Sequence, residues 1–275
     1  MTGKRQEREA AFAASAFGTA LGDFLCALAF LTRLPIPAGS AAHARPLAGT
    51  GWAFPLVGLA VGLIAGAALA LGHALGLPAL AAALLALGVG AVVTGALHED
   101  GFTDTLDGFW GAADRAERLA IMRDSRIGGY GALGLVIATG LKASALAAIV
   151  SGDGEGAGAE SAWLALIGAA MAGRGALPAL MHWLPAARAN GLGAMAGRPS
   201  VERAAAAAAI GALALPLLLG PGAGIVAALV GALAAGGLAL IARAKIGGQT
   251  GDVLGAAEQA VEIAVLLSAA ALIVG

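Results

Sequence analysis

Charged residues are scarce in this chain, and their scarcity is the first indication of where the protein resides. Only 12% of its 275 residues are Asp, Glu, Lys or Arg, whereas soluble domains carry about 25%. Hydrophobic residues make up 59%, and several runs reach the roughly 20 apolar residues that a bilayer-spanning helix requires. The composition excludes an ordinary soluble domain and predicts an all-α, polytopic membrane helix bundle.

Cysteine and net charge are also nearly absent. Cys26 is the only cysteine, which excludes an intrachain disulfide and a cysteine-built metal site. A net charge of −1 provides no bulk field to attract nucleic acid, so we expect no such partner. The charged start of the chain has no evident cleavage site, and we expect no signal peptide. The abundant small residues, including 44 glycines, suit close packing between membrane helices.

Hydropathy predicts one integral membrane domain over residues 1–275, with an N-terminal tail of about residues 1–16 and about seven or eight membrane-embedded helices. The first segment contains Asp23 and ends near Pro35 and Pro37, so it either spans the bilayer or lies at its interface. The predicted segments are roughly 17–34, 50–72, 76–97, 130–150, 161–184, 203–220, 222–242 and 256–274.

Basic residues follow an alternating pattern between these segments. Arg and Lys occur before the second segment and after the third, fifth and seventh, whereas the intervening connections contain none. Because positive residues concentrate on the cytoplasmic side, this pattern predicts that the acidic block 98–108 and the loops 185–203 and 243–255 are cytoplasmic. We expect the active site on that side, in contact with membrane lipid.

Residues 98–108, HEDGFTDTLDG, form a dense polar block in an otherwise apolar chain. Asp100, Asp104 and Asp107 have i, i+4, i+7 spacing and share one face of a helix. Like charges so close repel unless a cation neutralises them, and oxygen ligands favour Mg²⁺ or Mn²⁺ over zinc. With Glu99 they are the predicted metal ligands. The alternative is a solvated acidic loop, and His98 is a candidate base or a structural histidine.

The segment 115–131 follows the acidic block and is rich in arginine. Its pattern fits an amphipathic helix at the membrane surface, an anchoring role that suits Arg115 and Arg118. Arg123, Asp124 and Arg126 lie close in sequence to the predicted metal ligands. A carboxylate-bound metal beside arginines is an arrangement suited to phosphoryl transfer.

The C-terminal loop 247–255 is rich in glycine and precedes a membrane segment. Gly248 would let backbone N–H groups approach a phosphate, and Asp252 could add a metal ligand. Glu258 and Glu262 then lie i, i+4 on a helix that enters the bilayer. Acids inside a bilayer indicate function unless they lie at the interface.

Four further polar residues are candidates for substrate contact. Lys142 and Arg174 lie inside predicted spans, where they either pair with Glu258, Glu262 or Asp23 or contact a phosphate. Arg188 and Asn190 belong to a turn-rich connection that we expect to face the cytoplasm.

Together these segments resemble the signature blocks of the cobalamin (5′-phosphate) synthase family, also called adenosylcobinamide-GDP ribazoletransferase. The similar blocks are in the family's order from residue 30 to beyond residue 250, with Thr103 where the family usually has Ala. They are Phe30–Pro35, Phe54–Gly58, Leu97–Gly101 with Thr103, Asp104, Asp107 and Gly108, Arg123–Gly128 with Tyr130 and Gly131, and Gly247–Asp252.

The resemblance implies a Mg²⁺-dependent transferase of the bacterial inner membrane. The family joins α-ribazole or its 5′-phosphate to the corrinoid nucleotide adenosylcobinamide-GDP and releases GMP. For this chain it implies metal binding by Asp100, Asp104 and Asp107, with Glu99 as a further candidate. It also implies proton acceptance by one of these acids or His98, and charge stabilisation by Arg123 and Arg126. Asp252, Glu258 and Glu262 would complete a second wall. A homo-oligomer, or association with other cobalamin-assembly enzymes, stays open.

Two other function classes compete with this interpretation. A CDP-alcohol phosphatidyltransferase-like enzyme also uses a membrane-embedded Asp cluster, but its pattern has an Ala-Arg pair and a longer gap that this chain lacks. An ion-coupled transporter could use the charges inside the spans, such as Lys142 and Glu262. A polar path through the bilayer would favour transport, and a pocket open only to the cytoplasm would favour an enzyme.

Overall fold

The computed structural model describes residues 18–36, 45–152 and 156–274, and these ranges are mostly helical. The predicted tail, residues 1–16, lies outside the described residues. The prediction of an all-α membrane bundle is confirmed. The helices are α1 (Gly18–Leu31), α2 (Leu47–Thr50), α3 (Phe54–Ala74), α4 (Ala79–Thr94), α5 (Leu97–Gly111), α6 (Arg115–Ile121), α7 (Gly129–Ser151), α8 (Ala159–Trp183), α9 (Leu192–Met195), α10 (Val201–Leu219), α11 (Pro221–Ile246) and α12 (Gly251–Ile273).

Glycines on α3 determine how closely that helix packs against α8. A Cβ atom on Gly62 would lie 2.6 Å from the Cα of Ile167, and one on Gly58 would lie 2.8 Å from the Cα of Met171. The partners run backwards along α8 as the glycines run forwards along α3, so the two helices are antiparallel. Such close backbone approach is a main source of packing energy between membrane helices.

Six segments are long and apolar enough to cross a bilayer, namely Leu47–Ala74 and helices α7, α8, α10, α11 and α12. Both α3 and α7 run opposite to α8, so the chain must return between the end of α3 and the start of α7. The α4–α5 pair, bent by 93°, is long and apolar enough in total to make this return as a broken seventh span. The described helices thus agree with the predicted spans to within a few residues, except that the first predicted segment is short.

Helix α1 is shorter than the roughly 20 residues that a crossing requires. Asp23, which made a spanning segment doubtful in the sequence, accepts hydrogen bonds from Arg45 Nη1 at 2.6 Å and Trp52 Nε1 at 3.0 Å. The carboxylate is therefore neutralised by the chain that leads into α2.

The bend between α4 and α5 is made by two residues in the left-handed backbone region. Gly95 has φ 67° and Ala96 has φ 54°, the one positive φ on a non-glycine residue in the described ranges. An alanine in this region is strained and is held there by its surroundings. The backbone N–H of Arg33 donates to Val93 O at 2.7 Å, which fastens the end of α4 to the segment after α1.

Three connections meet at the end of the bundle where α5 lies. We call this the polar end, formed by α5 and residues 112–128, 184–200 and 247–250. Arg115 donates to Ile246 O and to Ala187 O, each at 2.7 Å. Arg118 donates to Lys245 O at 2.9 Å. These arginines satisfy carbonyls at and near the end of α11, so both have a structural role within the protein.

The glycine packing of α3 gives a test of the fold. Gly58→Ala would push α3 away from the backbone of α8, and we expect it to lower the free energy of unfolding by about 1–3 kcal/mol. Gly88→Ala on α4 is the matched control, because a Cβ there has nothing within 4 Å. The measurement is the thermal unfolding midpoint in detergent. Equal midpoints for the two variants would contradict the packing described.

Candidate functional site

Helix α5 presents Asp100 and Asp104 on one face, next to the start of α12. Asp104 lies within electrostatic range of Asp100, Asp252 and Arg188. Arg188 Nη2 donates to Asp252 Oδ2 at 3.1 Å, and the Thr250 hydroxyl donates to the same oxygen at 3.1 Å. The polar end therefore brings three carboxylates and one guanidinium together from three separate parts of the sequence.

Two glycines allow this approach of α5 to α12. A Cβ atom on Gly101 would lie 2.9 Å from the Cα of Asp252, and one on Gly255 would lie 3.0 Å from the carbonyl oxygen of His98. Both positions are therefore closed to a side chain unless the helices separate. Thr250 caps α12 by accepting a hydrogen bond from Val253 N, so the helix begins at the crossing point.

The glycine-rich loop before α12 is held by backbone pairing. Ala187 N donates to Gln249 O and Gln249 N donates to Pro185 O, each at 2.8 Å. A Cβ atom on Gly248 would collide with the Pro185 carbonyl. The structure thus uses Gly248 for close packing that places Arg188 beside Asp252. It does not present Gly248 as the open phosphate cradle that the sequence suggested.

Asp107 has a different set of partners from the other α5 acids. Its two carboxylate oxygens accept hydrogen bonds from Gly128 N at 2.7 Å and Gly131 N at 2.8 Å. The carboxylate thereby satisfies N–H groups at the beginning of α7, where a negative charge is also favoured by the helix dipole. A Cβ atom on either glycine would collide with it. The geometry gives Asp107 a structural role rather than a free coordination position.

Glu99 points to another side of α5. It accepts a long hydrogen bond of 3.4 Å from Gln259 Nε2 and lines a small internal cavity with Lys142, Arg174 and Glu262. The four acids predicted to bind one metal ion therefore do not converge. Within the described ranges, no group of three or more His, Cys, Asp or Glu side chains is placed to hold a metal ion.

A buried ionic network joins α7, α8 and α12 inside the bundle. Arg174 lies 2.6 Å from Glu258 and 3.1 Å from Glu262, and Lys142 Nζ lies 3.1 Å from Glu262. Each of these four side chains is buried. Of the alternatives considered for Lys142 and Arg174, the structure shows pairing with Glu258 and Glu262, while Asp23 binds Arg45. Two cations and two anions neutralise one another where the bilayer would penalise each alone.

Gln259 and His98 connect this network to α5. Gln259 accepts from Lys142 at 2.7 Å and donates to Glu258 at 2.9 Å. His98 Nδ1 lies 3.4 Å from Arg174 Nη2 and 3.5 Å from Glu258 Oε2. Gln259 is absent from the predicted site, although its position between two membrane-embedded acids was a usable signal.

Arg123, Asp124 and Arg126 lie on the surface of the polar end. The Arg126 guanidinium, 86% exposed, forms a 2.6 Å ion pair with Asp124. Hydrogen bonds from the side chain and backbone of Arg126 lower the pKa of Asp124 to about 2. Arg123 is exposed, as is Asn190 in the loop before α9. The structure therefore pairs Arg126 within its own loop, and Arg188 is the cation that accompanies the α5 acids.

A cavity of about 130 Å³ opens beside these acids. Asp100, Arg188 and Asp252 line its polar side together with His98. The apolar side is formed by residues of α1, α2, α3, α5, α8 and α12, including Phe30, Leu31, Leu47, Phe54, Leu97, Leu177, Met181 and Leu254. Apolar residues fill most of the sequence, so no sequence signal marked these walls.

The buried network gives a test by a double-mutant cycle. Lys142→Met leaves Arg174 as the one cation of the network for both Glu258 and Glu262. We expect a loss of about 3–5 kcal/mol in the free energy of unfolding. Adding Glu262→Gln removes the surplus anion and leaves the Arg174–Glu258 pair, so it should recover part of that loss. The free energy of unfolding in detergent is measured for Lys142→Met and for the double variant. Arg126→Gln, on an exposed residue, is the control and should have no effect. A double variant no more stable than Lys142→Met would contradict the network.

Comparison with known proteins places the chain in a family. A family model described as cobalamin-5-phosphate synthase matches residues 23–270. The adenosylcobinamide-GDP ribazoletransferase of Brucella canis is 47% identical over 253 residues, covering 90% of this chain and 95% of its own. That of Bradyrhizobium diazoefficiens is 46% identical over 258 residues, covering 93% and 95%. No solved structure matches. The resemblance noted in the sequence is confirmed, and this chain belongs to the cobalamin-5-phosphate synthase family.

Proposed function

We propose that this chain joins α-ribazole, or its 5′-phosphate, to adenosylcobinamide-GDP and releases GMP. The names of its relatives support the reaction. The observation that carries the proposal is the meeting of Asp100, Asp104, Asp252 and Arg188 beside a cavity at the polar end. Acids beside an arginine at the mouth of a largely apolar pocket suit a phosphoryl transfer in which one partner carries an apolar group.

In this reaction a ribose hydroxyl oxygen bonds to the phosphorus that carries the cobinamide arm. The bond from that phosphorus to the bridging diphosphate oxygen breaks, and GMP leaves with the bonding electrons. The hydroxyl proton passes to a carboxylate, for which Asp100, Asp104 and Asp252 are the candidates on the open face. Arg188 is placed to take up negative charge on the diphosphate, the role that the sequence assigned to Arg123 and Arg126.

Mg²⁺ fits this site with a smaller set of ligands than the four that the sequence predicted. The carboxylates of Asp100 and Asp104 make no hydrogen bond or ion pair with any other described residue, so both are available. One or two carboxylates suffice because Mg²⁺ keeps several waters and binds substrate phosphates. When bound, the ion would offset the charge of the diphosphate. In this assignment Glu99 and Asp107 do not bind the metal ion and keep the hydrogen bonds described above.

We further propose that the polar end faces the cytoplasm of the bacterial inner membrane. The arginines and lysines of residues 112–128, 184–200 and 243–245 gather at this end, and the positive-inside rule favours the cytoplasmic side for them. The same end would then meet the nucleotide substrate in water and the apolar parts of its partner near lipid. This orientation is the one predicted from the alternating basic connections.

The ion-coupled transporter is the less well supported alternative. The charges inside the spans, from Lys142 to Glu262, are bound to one another in ion pairs. The acids with free carboxylates, Asp100 and Asp104, lie at one end of the bundle rather than at its middle. This arrangement favours a site that opens to one side of the membrane.

Turnover by the purified protein in nanodiscs tests the proposed reaction. With adenosylcobinamide-GDP and α-ribazole 5′-phosphate supplied, we expect GMP release that requires Mg²⁺ and yields cobalamin 5′-phosphate. Chelation of the metal should stop the release, and Mg²⁺ should restore it. A well-folded sample that releases no GMP under these conditions would rule the proposal out.

The contrast between Asp104 and Asp107 tests which acids act on the metal. Asp104→Asn should lower turnover by about 10²-fold or more and raise the Mg²⁺ concentration for half-maximal activity at least about tenfold. Asp107→Asn should mainly lower the free energy of unfolding, by about 1–3 kcal/mol, because it disturbs hydrogen bonds to Gly128 and Gly131. Full turnover of the Asp104 variant would remove the metal assignment, and a shifted Mg²⁺ requirement in the Asp107 variant would contradict its structural role.

A further inference from the structure

The cavity at the polar end combines apolar walls with one buried polar group. Phe30, Phe54 and Met181 are among the wall residues, and Asp100 and Arg188 stand on its polar side. Such a cavity separates an apolar compartment from a charged opening over a short distance. A ligand suited to it would have an apolar ring at one end and a polar, phosphate-bearing group at the other.

The size of the cavity restricts what can enter it. At about 130 Å³ it is close to the roughly 150 Å³ of an engineered cavity that binds benzene. A corrin ring is far too large for this space. A single aromatic ring, or one edge of a fused pair, has a suitable size.

His98 supplies the buried polar group. It is 3% exposed and lines the cavity, and its Nε2 atom has no hydrogen-bond partner among the described residues. Its Nδ1 atom lies 3.4 Å from Nη2 of Arg174, which can only donate, and 3.5 Å from Oε2 of Glu258. That oxygen already accepts a hydrogen bond from Gln259 at 2.9 Å, so Arg174 is the nearer partner of Nδ1. Nδ1 is therefore the acceptor, and in the neutral ring Nε2 carries the hydrogen. A buried donor without a partner is costly, so this atom indicates a ligand with an acceptor at the same place.

We propose that this cavity binds the aromatic base of the riboside substrate, with His98 Nε2–H donating to the ring nitrogen that is not bonded to ribose. The inference rests on the proposed function, because α-ribazole is the riboside of a benzimidazole. That base has a flat fused ring and one ring nitrogen with a free lone pair. The phenylalanine, leucine and methionine side chains suit the ring, and His98 suits the nitrogen.

The same placement orients the rest of the riboside. With the base against His98 and the apolar walls, the ribose and its phosphate would lie toward Asp100, Asp252 and Arg188. The attacking hydroxyl would thereby be held near the carboxylates that accept its proton. His98 becomes a residue that selects and positions the riboside instead of the proton acceptor that the sequence suggested.

Binding of free bases tests this inference without turnover. Benzimidazole and indole have nearly the same shape, but only benzimidazole has the acceptor nitrogen. In equilibrium dialysis against the full chain in detergent, we expect benzimidazole to bind about three- to tenfold more tightly. His98→Phe should remove this preference, and His73→Phe, on an exposed residue of α3, should keep it. Equal binding of the two bases by the unmodified chain, or a preference retained in His98→Phe, would overturn the proposal.

A second variant tests the cavity independently of His98, and it keeps the proposal testable if His98→Phe does not fold. Ala196→Leu adds volume at the cavity wall and should weaken both bases at least about tenfold, whereas Ala67→Leu, on the exposed face of α3, should change neither. Unchanged binding in Ala196→Leu would place the bases elsewhere and overturn the proposal.

The two proposals can fail separately. Benzimidazole selectivity without GMP release would leave the base site standing and remove the proposed reaction. GMP release without benzimidazole selectivity would support the proposed reaction and overturn the base site.

Discussion

The close crossing of α5 over α12 is the contact on which the candidate site depends. Gly101 lies against the backbone of Asp252, and Gly255 lies against the carbonyl of His98. A side chain at either glycine would force the two helices apart. Because the two helices touch here, one face of α5 meets Arg188 and Asp252 while its other face meets the buried network.

The second constraint is the bilayer, which leaves a buried charge no water to bind. Arg174 and Lys142 lie within hydrogen-bond distance of Glu258 and Glu262, and Gln259 connects the pairs through both ends of its amide. Replacing such a network by apolar residues need not destabilise a fold, but removing one member leaves an unpaired charge. The network also fixes the rotation of α12 about its axis, and this sets where Asp252 points.

Much of this arrangement could be predicted from the sequence because it follows from local rules. Apolar runs of sufficient length gave the spans, and the crowded acids of α5 indicated a special site. Helical spacing also placed Asp100, Asp104 and Asp107 on one face. It could not reveal that the start of α7 comes against Asp107, since that contact depends on tertiary packing. The missing side chains of Gly128 and Gly131 make room for the carboxylate of Asp107.

The cavity and the role of Arg188 were harder to foresee for a different reason. In a chain with 59% hydrophobic residues, a wall built from Phe30, Phe54 and Met181 has no distinguishing pattern. Arg188 was one of several arginines in polar connections. Only the backbone pairing of Pro185 and Ala187 with Gln249 selects it as the partner of Asp252.

The long-range hydrogen bonds at the polar end also have a consequence for biogenesis. Arg115 binds a carbonyl 131 residues later in the chain, and Arg118 binds one 127 residues later. The acids of α5 likewise meet Asp252 only after every intervening helix has been inserted. A chain halted before α12 would hold α5 without the backbone of Asp252 against Gly101, Arg188 without its carboxylate partner and His98 without Glu258. The polar end is therefore the last part of the molecule to form, and it distinguishes a completely inserted chain from an incomplete one.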